Sequence, residues 1–214
     1  MANAREAVLE KVRAANGGVS SAALARAAWE KIPRTFKRAA TRAHAAVLEL
    51  LIERLRDYDA QVVLVGAEEL QGAVAGMLAA RGVRRMVVPV GVPVEMLAAG
   101  VEFVVDAGFS PAELDRFDGV LTLATVAIAE TGTVVLQNAK GQGRRAATLV
   151  PDYHLCVVRA EDVVETVPEA LGRLQRTAAL ATTFVSGPSA TADIEMTRIK
   201  GVHGPRFLDV VIVG

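Results

Sequence analysis

The sequence contains a single cysteine, Cys156, among its 214 residues. An intramolecular disulfide is therefore impossible, and a zinc site built from several thiolates is excluded as well. A conventional iron–sulfur cluster takes about four cysteine ligands, so this chain alone cannot hold one. Cys156 lies in the apolar stretch LCVV, where we expect a buried and inert thiol.

The chain also has few aromatic side chains, no formal net charge and no long apolar run. Aromatic residues make up 4% of the chain although 52% is hydrophobic, so we expect a core of Val, Leu, Ile and Ala. The 24 Lys and Arg residues balance the 24 Asp and Glu residues, which leaves no broad attraction to nucleic acid or to an anionic membrane. No apolar run reaches the roughly 18 residues of a membrane span, and the N-terminus lacks a signal-peptide pattern. The sequence predicts a soluble cytoplasmic protein.

The spacing of apolar residues changes near residue 57. Residues 1–57 contain three stretches with helical spacing, which we interpret as a helical N-terminal extension that packs on the core or lies beside it as an arm. Residues 58–214 alternate short β-branched runs with helical stretches, beginning with QVVLVG and AEELQGAVAGMLAARG. This alternation predicts an α/β domain with a mostly parallel sheet flanked by helices.

The segment GQGRRA, residues 141–146, matches the dinucleotide-binding pattern G-x-G-x-x-A. That pattern must open a helix, and the chain reaches Pro151 too soon for a crossover helix to form. We therefore expect a glycine turn, which either presents Arg144 and Arg145 to an anion or leaves them solvated. Neither a P-loop pattern nor G-x-S-x-G occurs in the chain.

The segment AETGT predicts a tight turn between two apolar strands, with Glu130 at the end of the first strand. A carboxylate placed beside hydroxyls can act as a base, a nucleophile or a substrate ligand, so Glu130 is the candidate catalytic residue. The alternative is a turn residue whose oxygens accept backbone N–H bonds.

The stretch FVSGPSATADIEMTRIKGVHGPR, residues 184–206, combines glycines and prolines with polar side chains. A strand runs into a Gly-Pro turn, and we expect ATADIEM to begin a short helix capped by Ser189 or Thr191. Backbone amides and hydroxyls at such a helix start suit a carboxylate or a phosphate. Because open α/β sheets bind ligands beyond the carboxyl ends of their strands, we expect the stretch to lie at that edge.

This stretch predicts a small-anion site, to which the turn GVHGPR adds an imidazole or a guanidinium. The alternative is that Ser189 or Thr191 only caps the helix and His203 only supports the loop. A metal could use Asp193, Glu195 and His203, but no spacing specifies one, so we predict no metal site. The predicted anion-binding residues are Gly187, Ser189, Thr191, His203 and Arg206, with Arg144 and Arg145 as alternative cations.

Four segments in series, AETGTVVL, GQGRRAATLVPDYHLCVV, SGPSATADIE and GVHGPR, resemble the lactate-utilisation protein C family of LUD-domain proteins. The resemblance runs from about residue 120 to the end of the chain, and the helical N-terminal third fits more loosely. It implies a fold similar to ribose-5-phosphate isomerase, glucosamine-6-phosphate deaminase and the CoA transferases. It carries over no catalytic residue, so the site residues rest on the motifs alone.

The resemblance also implies a function, which is the oxidation of L-lactate to pyruvate alongside iron–sulfur partner proteins that hold the redox centres. This chain would then be a non-redox accessory subunit with no cofactor of its own. The alternative is a stand-alone enzyme of the isomerase or CoA-transferase fold that acts on a small phosphorylated or carboxylated metabolite. Glu130 would then be its nucleophile or base.

We expect the purified protein to be colourless and to contain no stoichiometric iron, because Cys156 is the one cysteine that could supply a thiolate ligand. Elemental analysis and a visible absorption spectrum, recorded before and after anaerobic incubation with iron and sulfide, test this expectation. Several iron atoms per chain with a visible charge-transfer band would contradict it.

Overall fold

A computed structural model describes residues 3–18, 21–191, 199–201 and 203–214 of the chain. The chain forms two compact units, Met1–Phe36 and Lys37–Gly214. This division differs from the boundary expected near residue 57. Helix α3 (His44–Asp57) accounts for the difference, because it buries Leu51 in the core of the second unit.

The described residues of the first unit form helices α1 (Ala4–Ala15) and α2 (Ala22–Glu30). Each begins at a polar cap: the side chain of Asn3 accepts a hydrogen bond from Arg5 N, and that of Ser21 accepts one from Leu24 N. Neither helix contains a buried residue. In the part of the chain that the structure describes, no helix is both long enough and apolar enough to cross a bilayer.

The second unit alternates strands with helices, as the sequence predicts. Its helices are α3, α4 (Leu70–Ala80), α5 (Pro111–Leu114) and α6 (Val167–Leu174). Short 3-10 turns lie at Ala67–Glu69, Val94–Met96, Ala160–Asp162 and Gln175–Thr177. Its strands are β1 (Gln61–Val65), β2 (Arg85–Val88), β3 (Glu102–Val105), β4 (Gly119–Leu123), β5 (Val126–Ile128), β6 (Thr133–Gln137), β7 (Tyr153–Arg159), β8 (Val163–Val164), β9 (Thr182–Val185), β10 (Ala190–Thr191), β11 (Ile199–Lys200) and β12 (Phe207–Val213).

Six of these strands form a parallel sheet in the order β1-β12-β7-β4-β2-β3. Helix α4 covers one face, where Val74 and Leu155 share a core cluster. The other face packs against α3 and a second sheet, so that Leu51, Ala127 and Val210 share another cluster. With both faces covered, the central strands are mostly apolar along their whole length. The predicted α/β class with a mostly parallel sheet flanked by helices is confirmed.

The second sheet has four strands in the order β8-β5-β6-β9. Strands β5 and β6 pair antiparallel, which confirms the turn predicted in AETGT. Gly132 in this turn has a φ of 57°, and a Cβ atom there would lie 2.9 Å from Cβ of Arg54 on α3. Glycine therefore serves both the turn and the close approach of α3.

The helix predicted in ATADIEM does not begin after Ser189, whereas a helix capped by Thr191 would begin outside the described residues. Ala190 and Thr191 form β10, which pairs antiparallel with β11. The expected helix start beside Ser189 is therefore extended backbone. Asp193 and Glu195 lie outside the described residues.

A buried carboxylate, Asp209 on β12, anchors the amino end of the parallel sheet. Its oxygens accept hydrogen bonds from Arg81 Nη2 at 2.7 Å and Nε at 3.0 Å. The Tyr153 hydroxyl donates to Asp209 at 3.0 Å, and the backbone N–H of Gln61 donates at 3.2 Å. Burial, followed by the neighbouring carboxylate, raises the pKa of Tyr153. These bonds tie α4, β1 and β7 to β12.

We expect Asp209→Ala to lower the free energy of unfolding by about 3–5 kcal/mol. The substitution removes the carboxylate and leaves the largely buried charge of Arg81 without its partner. Urea denaturation followed by circular dichroism measures the loss. The matched control is Asp152→Ala, which removes a solvent-exposed ion pair with Arg206. We expect the control to cost less than about 1 kcal/mol. Equal losses in the two variants would contradict this account of Asp209.

Candidate functional site

A pocket of about 230 Å³ lies where the amino ends of β7 and β12 meet the end of β9. Its walls are formed by Arg145, Thr148, His154 and the segments 184–189 and 203–205. The two segments come from the stretch in which the sequence predicts an anion site. The position in the fold differs from the expectation, because the pocket lies at the amino ends of two parallel strands.

The loop Gly141–Gly143 accounts for part of that difference. The N–H of Gly141 donates to Val90 O at 2.8 Å, and the carbonyl of Gly141 accepts from Leu123 N at 2.8 Å. The loop thereby occupies the crevice between the carboxyl ends of the parallel strands β2 and β4, where the strand order reverses and a ligand would ordinarily bind. No helix follows the loop before β7, which agrees with the rejection of a dinucleotide site.

Two turns form one wall of the pocket. Gly187 has a φ of 79°, and a Cβ atom there would lie 2.6 Å from Cβ of Tyr58, so only glycine fits. The N–H of Ser189 donates to Pro205 O at 2.8 Å, and the N–H of His203 donates to Ser189 Oγ at 3.1 Å. Gly187, Ser189 and His203 are thus brought together as predicted, although their role in binding stays a prediction.

His154 forms the floor of the pocket, and it is not among the site residues predicted from the sequence. It lies on β7 with 1% of its surface exposed, and its Nε2 is 2.8 Å from Thr122 Oγ1. Burial, and then the charge of Arg145, lower its pKa to about 4, so the imidazole is neutral at pH 7. A polar residue inside the apolar run YHLCVV was the available signal.

Cys156 lies two residues beyond His154 on the same face of β7, 3.7 Å from Thr122 Oγ1. Burial raises the pKa of its thiol to about 12. The thiol therefore stays protonated at neutral pH and matches the inert core residue expected from the sequence.

Arg145 is an arginine that the described residues place in the pocket wall. Its Nη1 donates to Thr148 Oγ1 at 3.2 Å and to Thr148 O at 3.3 Å. Within residues 3–18, 21–191, 199–201 and 203–214, no carboxylate forms an ion pair with it. Partial burial lowers its pKa, although a guanidinium stays protonated at neutral pH. An anion in the pocket would therefore meet a cation that is not already neutralised.

The other two predicted cations lie elsewhere. Arg144 donates to Asp106 from Nε at 2.8 Å and from Nη2 at 3.0 Å. Arg206 donates from Nε to both oxygens of Asp152, at 2.7 and 2.8 Å. The paired carboxylate raises the pKa of each guanidinium. Neither side chain lines the pocket, and Thr191 lies in β10.

Glu130 also lies outside the pocket, in the β5–β6 turn. Its carboxylate accepts a hydrogen bond from Lys37 Nζ at 2.9 Å, and Lys37 also contacts the buried carboxylate of Glu165. Glu165 accepts further bonds from Thr41 N at 2.6 Å and from Arg42 Nη1 at 2.6 Å. We call Lys37, Arg42, Glu130 and Glu165 the ion cluster. It fastens residues 37–42 to the second sheet.

A row of hydroxyls connects this turn with the pocket. Thr133 Oγ1 lies 2.7 Å from Thr131 Oγ1 and 2.7 Å from Ser186 Oγ, and Ser186 is a pocket residue. Among the described residues, the Glu130 carboxylate is bonded to Lys37 and not to this row, and its suggested catalytic role stays a prediction. Groups of three or more His, Cys, Asp or Glu side chains that could hold a metal ion are absent from the described residues.

Comparison with known proteins identifies the family. A protein from Deinococcus radiodurans named lactate utilization protein C is 45% identical over 173 residues, which cover 79% of this chain and 81% of that protein. The family model described as LUD domain matches residues 111–213, which include the pocket residues. The chain belongs to the LUD-domain family.

Two further comparisons agree with this family assignment. A lactate utilization protein C of Halalkalibacterium halodurans is 37% identical over 97 residues, which cover 42% of each chain. The crystal structure of a DUF162 family protein from Deinococcus radiodurans superposes with a TM-score of 0.71 and 41% identity, covering 81% of this LUD-domain chain and 99% of that one. The likeness therefore extends from sequence to fold.

We expect Glu165→Gln to lose stability at neutral pH and to lose progressively less as the pH falls. The hydrogen bond from Lys37 holds the pKa of Glu165 at about 2, below its ordinary value of 4.5. Stabilisation by the ionised carboxylate is therefore complete above about pH 4.5 and lost as the pH falls toward 2. Thermal unfolding of both proteins across this range measures the effect.

The matched control is Glu130→Gln, which removes the more exposed carboxylate bonded to the same lysine. We expect it to cost less than about 1 kcal/mol, since exposed ion pairs contribute little. A difference between wild type and Glu165→Gln that stayed constant down to about pH 2 would show that the carboxylate charge is not what stabilises the ion cluster.

Proposed function

We propose that this protein acts in lactate utilisation, as a non-redox subunit of an iron–sulfur-dependent system that oxidises L-lactate to pyruvate. The observation that carries the proposal is 45% identity, over 79% of the chain, to a protein named lactate utilization protein C. Involvement in lactate utilisation follows from the names of such relatives. The accessory role and the iron–sulfur partners go further and rest on the arguments below.

The supply of thiols supports the accessory role. Oxidation of lactate to pyruvate releases two electrons, and the iron–sulfur clusters that would accept them take about four cysteine ligands each. This chain has one cysteine, which is buried. We therefore assign the clusters to partner proteins and the handling of the small anion to this chain.

A second candidate function is a stand-alone enzyme that acts on a small carboxylated or phosphorylated metabolite. It is favoured by a pocket that contains an imidazole, a guanidinium and serine hydroxyls together. It is weakened at Glu130, its suggested nucleophile, because that carboxylate is bonded to Lys37 away from the pocket. Turnover by the purified chain without partners would favour the stand-alone enzyme, whereas copurification with cysteine-rich proteins would favour the subunit.

We expect deletion of the gene to impair growth on L-lactate and to leave growth on glucose unchanged. Complementation with wild type and with Arg176→Gln, an exposed arginine outside the pocket, should restore growth. Complementation with Arg145→Gln should restore it poorly, because the pocket then lacks the Arg145 guanidinium. Normal growth of the deletion strain on lactate, with no duplicate gene present, would contradict the proposed function.

A further inference from the structure

We propose that the pocket binds a small monocarboxylate with a hydroxyl or carbonyl oxygen on the adjacent carbon. The carboxylate would lie on the Arg145 guanidinium and the second oxygen at Nδ1 of His154. The inference deepens the proposed function by naming the ligand class of this chain's own pocket. It rests on the proposed function for the choice of lactate and pyruvate as probes, whereas the ligand class rests on the geometry.

Charge favours a monoanion. Arg145 and His154 both line the pocket and lie close enough for the arginine charge to act on the imidazole. A guanidinium offers paired N–H groups that match the two oxygens of a carboxylate. The buried imidazole is neutral at pH 7, so this pair supplies one positive charge and not two.

Hydrogen bonding explains the second oxygen. Nε2 of His154 is occupied by Thr122, whereas Nδ1 has no hydrogen-bond partner among the described residues. A neutral imidazole carries one donor nitrogen and one acceptor nitrogen, so the bond at Nε2 sets the role of Nδ1. A buried polar side chain that lines a cavity with one nitrogen unused needs a partner from the cavity itself.

The Thr122 hydroxyl allows both roles. When it donates to Nε2, Nδ1 carries the proton and can donate to a carbonyl oxygen. When the Thr122 hydroxyl instead accepts from Nε2–H, its hydrogen can point to Cys156 Sγ, which lies 3.7 Å from Oγ1. Nδ1 is then unprotonated and can accept from a ligand hydroxyl. The same floor therefore suits a 2-hydroxy acid and the matching 2-oxo acid, which differ at that one oxygen.

Size agrees with a ligand of this kind. The pocket volume of about 230 Å³ is the space of about eight water molecules. It is smaller than the roughly 300–1,000 Å³ of pockets for drug-sized molecules. A ligand of six non-hydrogen atoms, such as lactate, fits in this space with water beside it, and Ser186 and Ser189 on the wall are further hydrogen-bonding groups.

Calorimetry of the full chain at pH 7 with L-lactate, pyruvate, acetate and inorganic phosphate tests the proposal. We expect lactate and pyruvate to bind roughly 5- to 10-fold more tightly than acetate, which lacks the second oxygen. Arg145→Gln should weaken all three carboxylates roughly 10- to 100-fold, and the control Arg176→Gln should change none of them. Unchanged lactate binding in Arg145→Gln, or tighter binding of phosphate than of the carboxylates, would overturn the proposal.

The role of His154 has its own test. The double variant Thr122→Val with His154→Phe removes both hydrogen-bonding partners while keeping the side-chain shapes. It should lower lactate affinity to that of acetate and leave acetate affinity unchanged. Nitrogen-15 NMR of the imidazole needs no variant: Nδ1 should be the protonated nitrogen with pyruvate and the unprotonated one with lactate. Ring resonances unmoved by either ligand would overturn the assignment of His154.

The two proposals fail separately. If lactate binds on Arg145 but the deletion strain grows normally on lactate, the pocket assignment stands and the proposed function fails. If the deletion strain cannot grow on lactate but no carboxylate binds in the pocket, the proposed function stands and this inference fails.

Discussion

The alternation of side chains along β7 is the constraint on which the pocket and the sheet both depend. This strand is hydrogen-bonded to β4 and β12 on its two edges, and six of its seven residues are buried. Tyr153 therefore points to the face covered by α4, where its hydroxyl meets Asp209, and His154 points to the opposite face, into the pocket. A shift of one residue in the register would exchange the two side chains, so the bonds of Asp209 also hold His154 in place.

Charge pairing decides which of the predicted cations is left for a ligand. Arg144 and Arg206 each form bonds to a carboxylate, Asp106 or Asp152, that lies close in space but far along the chain. Arg145 bonds to the hydroxyl and carbonyl of Thr148 and retains its charge for the pocket. Adjacent arginines in one glycine-rich loop thus have different partners, a carboxylate for Arg144 and the hydroxyl and carbonyl of Thr148 for Arg145.

The position of the pocket follows from how the chain fills its own crevice. In an open parallel sheet, two neighbouring strands whose connections lead in opposite directions leave a space for a ligand at their carboxyl ends. Here Gly141 bonds to Val90 and Leu123 across that space, and Gly143 packs so closely on Pro89 that a Cβ atom would lie 2.8 Å from its Cγ. A second cleft, between the parallel sheet and β9, supplies the polar pocket instead. The glycines of this loop therefore allow close packing between the loop and the strand ends. We assign no phosphate-binding role to them.

The sequence by itself determined the α/β class, the turn beside Glu130 and the family, because apolar periodicity, turn residues and motif order are local properties of the chain. It also placed Gly187, Ser189, His203 and Arg145 in the candidate site. It could not identify His154, since a single histidine in an apolar strand is typical of a core residue. Its role is visible only once the pocket segments packed against β7 are known. Only the tertiary structure decided which charges pair, because ion pairs such as Lys37 with Glu165 join residues that are distant in sequence, and their pairing depends on how the elements pack.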